Sequence, residues 1–488
     1  MINKMQTSLL DSSSMTVTPY RNHLLIECKD LYQFLLACKQ TAQQKEQTKI
    51  ISLSLEMPPV DPLAVMAAMA QPGQLNFYFE QAGHEVAIAA IDAVVSLKVA
   101  DSSRFEQAQH FIKSCLSSTM IAGADDLALT GPHFFCSFTF FDEPLNGDLT
   151  FPPATIFLPR LQFSRVKNKG VLVFNIEVNQ LKNIEFLFKE ILQKIHIIKT
   201  STEIASKNNI YKPLENYCDF SFNNINKFKS SVSSALESIR CNKLNKIVLA
   251  HAVDVKSPVA FKLIDSLDNL RQRYPGCYIF STSNSKGQTF IGASPERLIS
   301  IKNQQLFTDS LAGSAPRGTT AIEDAEFGDR LLSSEKERRE HLVVLDFITQ
   351  RLTKLGLAPV SPELPQLLKL ANIQHLWTPI QATMPKGVHP LEIVAELHPT
   401  PAVAGLPRNI ACQQIRQYEP FERSLYAAPL GWVDHQGNSE FIVGIRSALI
   451  DGDRARLYAG AGIVAGSEPD KELAEIQLKL QALLKALV

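Results

Sequence analysis

The sequence has no net charge: 49 Lys and Arg stand against 49 Asp and Glu. That balance excludes a chain drawn as a whole to nucleic acid or to an anionic membrane. An anionic ligand must find its positive partners locally. The eight cysteines include no C-x-x-C pair and none at a zinc-ligand spacing with His, which excludes a dithiol redox motif and a zinc ribbon. Cys28, Cys38, Cys115, Cys136, Cys218, Cys241, Cys277 and Cys412 are scattered and read as small buried hydrophobes in a reducing compartment. No run reaches membrane-spanning length. The most apolar stretch, Val86 to Val99, is broken by Asp92 and Lys98. The N-terminus, MINKMQTSLLDSSSM, lacks the apolar core of a signal peptide and the Arg-rich pattern of a transit peptide. There is no short repeat and no low-complexity tract. The expectation is a cytoplasmic protein with no membrane and no nucleic-acid partner.

What is there is ordinary globular composition, with 45% hydrophobic and 20% charged residues over 488 positions. Residues 1–18 are polar and expected to be flexible. Lys199 to Asn224 is rich in Ser, Asn, Lys and Tyr and marks a connection between two halves. Phe134 to Phe140 reads as a strand and Phe105 to Cys115 as a helix. A strand is expected from Lys246 and another over Cys277 to Thr282. Gln288 to Ile301 and Gln305 to Leu311 read as a hairpin, as do Phe441 to Ile450 and Arg456 to Val464. Helices are expected over Glu335 to Leu355 and from Glu468 to the C-terminus. Hairpins interleaved with helices predict an α+β fold with mostly antiparallel sheet.

Several residues in this half could carry chemistry. A turn centred near Gly452 places Arg446 across from Gly460, where a guanidinium beside bare backbone suits an anion. Ser334 can cap the first late helix, which carries Glu337 and Glu340 three apart. Ser467 with Asp470 can cap the last, which carries Glu472, Glu475 and Lys479. A Glu-x-x-Glu pair is ordinarily a solvated face. Two such pairs brought together would suit a hard cation with oxygen ligands, magnesium rather than zinc. Glu296, directly after Ser294-Pro295 and between two β runs, could be a carboxylic acid held neutral by burial. Lys246 opens an apolar strand and could be a base. Alone, either is more often an ordinary strand-end charge than a catalytic group.

As a set these fragments resemble the chorismate-utilising enzymes, the isochorismate, salicylate, anthranilate and aminodeoxychorismate synthases. The motifs are KIVLA (Lys246–Ala250), FIGASPERL (Phe290–Leu298), SLAGSAPRG (Ser310–Gly318), EKERREH (Glu335–His341) and QHLWTPI (Gln374–Ile380). HPTPAVAGLPR (His398–Arg408), LYAAPLGW (Leu425–Trp432), GIRSA (Gly444–Ala448), YAGAGIVAGS (Tyr458–Ser467) and ELAEIQLK (Glu472–Lys479) follow in the family's order. The resemblance implies one α/β (α+β) domain of two large, mainly antiparallel sheets flanked by helices. Residues 19–215 would complete that fold, and 216–488 would form the chorismate-binding catalytic region. It implies Glu340 and Glu475 as direct Mg2+ ligands, with Glu337 and Glu472 bonding the metal's waters. It implies Arg446 and Tyr426 as the clamp for the enolpyruvyl carboxylate, and Gly313, His375, Ala402, Gly460 and Lys479 as further substrate contacts. The family leans towards monomers.

Within the family, ammonia-using members resemble this chain with Gln at the Lys246 position. Water is a poor nucleophile and needs a base, so Lys246 points to water attack at ring C2. Glu296 would protonate the departing C4 hydroxyl. Salicylate synthases share both residues and then eliminate pyruvate, but resemble the anthranilate enzymes in carrying Thr where this chain has Ala402. The implied product is isochorismate, and the long N-terminal region resembles the menaquinone-type enzymes. The alternatives are a salicylate synthase, a siderophore-pathway isochorismate synthase, or a catalytically silent paralogue. Four positions depart from the family pattern: His251, Ser424, Ala428 and Leu473, in place of Arg, Gly, Gly and Trp.

Overall fold

The computed structural model describes residues 28–44, 49–124, 126–143, 150–179, 183–205, 225–370 and 373–487. In chain order the first elements are α1 (Cys28–Gln44), β1 (Lys49–Met57), α2 (Pro62–Met69), β2 (Asn76–Gln81), β3 (Val86–Val99) and α3 (Arg104–Ser117). Next come β4 (Thr119–Gly123), β5 (His133–Phe138), β6 (Ala154–Val166), β7 (Lys169–Val178), α4 (Ile184–Ala205) and α5 (Ile225–Arg240). Then β8 (Lys246–Lys256), α6 (Leu263–Arg273), β9 (Tyr278–Ser283), β10 (Thr289–Ser294), β11 (Arg297–Lys302) and β12 (Gln305–Pro316). They are followed by α7 (Ala321–Ser333), α8 (Glu335–Lys354), β13 (Gln366–Lys369), β14 (Ile373–Thr383), α9 (Pro390–Leu397) and β15 (Gly405–Leu406). Last are α10 (Arg408–Tyr418), β16 (Pro429–Asp434), β17 (Ser439–Val443), β18 (Ser447–Asp451), β19 (Arg454–Ile463) and α11 (Pro469–Leu487).

The pairings give two sheets that share two strands. One runs β13-β14-β12-β11-β17-β16-β5-β6-β3. The other runs β4-β1-β7-β6-β3-β2-β9-β10-β18-β19-β8-β15. Every pairing is antiparallel except β1 with β4. β3 and β6 are long enough to belong to both. β6 pairs with β5 over Ala154–Phe157 and with β7 over Leu161–Val166. Between those ends β3 is bulged at Ala93–Val95, with Asp92 at φ +58°. Arg160 ties the bulge down through Asp92 (2.9 Å) and the Ala93 carbonyl (3.2 Å). Pro159 sits opposite the bulge, where a strand tolerates the missing N–H. The apolar run Val86 to Val99 is therefore a strand spanning two sheets. No described helix is long and apolar enough to cross a membrane.

A second crossing positions the site. β10 pairs with β9 and β18 in the second sheet, and β11 pairs with β12 and β17 in the first. The link between them is Pro295-Glu296. Proline lacks the N–H a ladder needs, so the expected Gln288–Ile301 strand divides there. The return crossing is Gly444 to Arg446, between β17 and β18, with Arg446 at φ +50°. β9, β10, β16 and β17 are buried along their whole length, as strands covered on both faces are.

Helices cover the sheets. A smaller apolar core lies under α1 and α4, around Phe34, Leu35, Phe163 and Ile191, a minor one joins Leu127 to Val171 and Val173, and the largest runs through the remaining elements. The expected connection over Lys199 to Asn224 begins later than read: Lys199 to Ala205 is the end of α4. Residues 206–224 and 1–18 lie outside the described residues. Ser334 caps α8 by accepting from the Glu337 N–H. Ser467 does not cap α11, which begins at Pro469. Its hydroxyl accepts from the Val464 N–H at 3.2 Å, and Asp470 pairs with Lys229 on α5.

Candidate active site

Glu296 sits on the crossing between β10 and β11, held by backbone on both sides. Its carbonyl accepts from Val443 N–H at 3.1 Å. The Ser294 hydroxyl donates to the Val443 carbonyl at 2.6 Å and accepts from the Glu296 N–H at 3.2 Å. The residue is 8% exposed. Burial pushes its carboxyl up to about 7; the Lys246 ammonium opposes that shift and Asp309 adds to it. Asp309 is itself held by Arg297 (2.9 Å) and the Trp377 indole (2.8 Å).

Lys246 opens β8, between β15 and β19. It is buried, and its amine donates to Glu340 Oε1 at 2.5 Å. Gly462 makes room for this pair, since a Cβ there would stand 3.2 Å from Lys246 Cε and 3.7 Å from Glu340 Oε1. A cavity of about 550 Å³ opens on the pair, lined also by Lys336, Arg339, Val343 and Val464.

Four carboxylates project from the two late helices. Glu337 accepts from the Ser314 N–H at 3.3 Å. Its carboxyl is raised by burial and then by Glu340. Glu472 is raised by burial and, more weakly, by Glu475, with the Ser467 hydroxyl opposing. Lys336 lowers both Glu337 and Glu472, so α8 and α11 present their acidic faces to one space. Glu475 accepts from Lys479 at 2.6 Å, and the same amine donates to the Gly460 carbonyl at 2.9 Å. The four stand as two pairs. Among the described residues, no three His, Cys, Asp or Glu side chains gather closely enough to hold a metal ion as they stand. Glu340 and Glu475 are instead committed to lysines.

The remaining candidate residues form two groups. Arg446 is half-buried, its carbonyl accepts from the Ala293 N–H at 3.1 Å, and its guanidinium lies 3.9 Å from Cys277 Sγ. Burial first, then the charges of Arg446 and Lys479, lower His375 to about 3. Its Nδ1 meets the Ser314 hydroxyl at 2.8 Å, and its buried Nε2 has no partner among the described residues. Gly313, at φ +79°, lies against Glu337, whose Oε2 would stand 3.3 Å from a Cβ. The second group is Tyr426 and Gly460. The Tyr426 ring stacks on Tyr458 (5.2 Å, 16°), and its hydroxyl would stand 2.7 Å from a Cβ on Gly460. Burial raises the Tyr426 hydroxyl, and the Glu296 charge is felt there too. Ala402 lies in a turn whose Val403 and Ala404 N–H groups bond the Thr400 carbonyl. Ala404 then accepts from Val248 on β8 at 2.8 Å.

One expected pairing is corrected. β18 and β19 pair Ser447 with Tyr458 and Asp451 with Arg454, one residue off the register that would set Arg446 against Gly460. Gly460 pairs with Ala250 on β8 instead. Arg446 has left the ladder because Gly444 to Arg446 cross between sheets. The departures from the family pattern are accommodated. Ser424 adopts φ +49°, His251 packs on Phe228 (5.8 Å), and Leu473 is buried in the core. Ala428 accepts from the Gly444 N–H at 2.8 Å.

Residues 34–488 match the model of a family described as chorismate binding enzyme. The chain belongs to that family. It is 30% identical over 467 residues to isochorismate synthase MenF of Bacillus subtilis, covering 91% of this chain and 95% of that one. It is 40% identical over 261 residues to the salicylate biosynthesis isochorismate synthase of Pseudomonas aeruginosa. That match spans about half of each, 54% of this chain and 54% of the relative. Among solved structures it is similar to MenF, the menaquinone-specific isochorismate synthase of Escherichia coli. The TM-score is 0.71 at 25% identity, over 93% of this chain and 100% of that one.

In this chorismate-binding enzyme the two sheets bring a carboxyl that titrates near neutrality within electrostatic reach of a buried amine. Arg446 and Lys479 supply local positive charge to a molecule with none overall. Two contributors escaped the sequence reading. Gly462 lies two residues beyond Gly460 in the same Ala-Gly-Ala-Gly run, where alternation puts it on the same face. Arg423 and Glu419 are four apart, a spacing that reads as a surface pair; both are buried.

Proposed function

We propose that this chain is an isochorismate synthase of the menaquinone type. It converts chorismate to isochorismate by adding water at ring C2 and releasing the C4 hydroxyl. Lys246, once it has released its ammonium proton to solvent, accepts a proton from the attacking water as the free amine, the ring double bonds shift, and Glu296 gives its proton to the C4 oxygen, which leaves as water. One water enters and one departs, so atoms and electrons balance with no redox partner. Glu296 is the observation that carries this reading. A buried carboxyl near 7 holds a transferable proton at neutral pH.

Arg446 and Tyr426 hold the enolpyruvyl carboxylate, with Gly313, His375, Ala402, Gly460 and Lys479 as further contacts. Glu340 and Glu475 are the ligands we assign to Mg2+, with Glu337 and Glu472 reaching its waters. The donor set suits it: all are carboxylate oxygens, and burial first, then the neighbours Glu340 and Glu475, raise Glu337 and Glu472, a cost that a bound cation would relieve. Magnesium supplies positive charge to the ring carboxylate when bound. The similarity over nearly the whole length of MenF supports the menaquinone assignment over a siderophore one. We place the protein in the cytoplasm as a monomer.

Purified protein given chorismate and Mg2+ tests the reading by product analysis. Isochorismate accumulating alone supports it. Salicylate with pyruvate at neutral pH would replace it with a salicylate synthase.

A further inference from the structure

Beneath the site lies an ion pair to which no substrate contact is assigned. Arg423 is 1% exposed, and its guanidinium has no freedom left. Nε donates to Glu419 Oε2 at 2.8 Å and Nη2 to Glu419 Oε1 at 2.5 Å. Nη2 also donates to the Val248 carbonyl (2.8 Å) and Nη1 to the Val403 carbonyl (2.9 Å). Glu419 Oε1 accepts in turn from the Ala250 N–H at 2.8 Å. The guanidinium lies over the Tyr426 ring at 5.7 Å and the Phe140 ring at 4.4 Å.

These contacts join three segments. Val248 and Ala250 follow Lys246 on β8. Val403 follows Ala402 in its turn. Tyr426 comes three residues after Arg423. A buried charge pair is seldom needed for stability, since apolar residues of similar volume hold a core as well. This pair's four carbonyl and carboxylate bonds instead fix distances between segments. We infer that Arg423 and Glu419 form a positioning unit, setting the spacing between the base-bearing strand, the Ala402 turn and Tyr426. The inference rests on the isochorismate synthase reading for the roles of those three.

The test uses the full chain with Glu419→Gln, Arg423→Lys, and the paired Arg423→Met/Glu419→Leu, which refills the core without charge. Folding is checked by circular dichroism and thermal melting. We expect folded variants whose kcat/KM falls about 100-fold, the loss a misplacement of about 1 Å produces. Combining Glu419→Gln with Tyr426→Phe should then cost less than the product of the single losses by about tenfold, because the two act through one geometry. Folded variants with wild-type kcat/KM, or losses that multiply, overturn the inference. Wild-type protein that makes no isochorismate counts against the functional reading instead. Calorimetric affinity for chorismate, weakened in Glu419→Gln, reads the positioning role without turnover.

Discussion

Val443 donates its backbone N–H to the carbonyl oxygen of Glu296 at 3.1 Å, where both segments pass between sheets. The acid's position is thus set by main chain, and its carboxyl keeps no side-chain hydrogen bond of its own among the described contacts.

The carboxyl should dominate the alkaline limb of the pH profile. Its proton is bound more tightly in the fold than in the unfolded chain, so the stability it contributes is lost as pH rises through about 7. A general acid must also carry that proton. We expect kcat/KM to fall about tenfold per pH unit above that value. Glu296→Gln should abolish turnover, and any residual rate should lose this limb. A wild-type profile flat to about pH 9 rules the role out.

Lys246→Ala should lower kcat by about 10²- to 10⁴-fold, the range for removing a positioned base. Its circular dichroism spectrum should match wild type. A near-normal rate contradicts the assignment.

Glu475→Ala should weaken the response to Mg2+ and the affinity for chorismate together, seen as a higher half-saturating metal concentration and a higher KM. Calorimetric titration with Mg2+ gives a reading apart from activity. Chelation should silence the wild type. An unchanged metal requirement moves the site away from α11.

Gly460→Ala places a methyl 2.7 Å from the Tyr426 hydroxyl, inside van der Waals contact. Overpacking of this kind costs about 1–3 kcal/mol, and we expect KM to rise about tenfold. Adding Tyr426→Phe removes the clashing oxygen and should restore the lost stability. A Gly460→Ala enzyme with wild-type KM argues against Tyr426 lying beside the substrate.

Ser424→Gly should stabilise the fold by about 1 kcal/mol. Serine at φ +49° carries the cost of a left-handed L-residue, and its buried hydroxyl has no partner among the described residues. Urea unfolding midpoints measure this; a lower midpoint means the serine has a compensating role.

Local pattern made the strands and late helices legible. Lys246–Ala250, Tyr278–Ser283, the hairpin at Asn303-Gln304 and the Ser334 cap all follow from alternation and turn chemistry. Partnerships were not legible, because nothing near Phe77 encodes its place beside Thr282. The misplaced Arg446 register has the same origin: a hairpin sum assumes an unbroken ladder, and the chain changes sheets at Gly444. The Arg423–Glu419 pair was missed because charge four residues apart signals solvent until tertiary packing says otherwise. The site residues themselves were legible only from the order of the motifs.

The interleaving of β2 with β9 and β5 with β16 governs when the molecule can fold. A ribosome releases the N-terminal strands with their edges bare, and they wait for partners made much later. Such waiting edges are prone to aggregation, so synthesis of this chain should lean on chaperones. Glu472, Glu475 and Lys479 arrive on the final helix. Because α11 follows every strand of both sheets, the residues proposed for the site come together only after the sheets have formed.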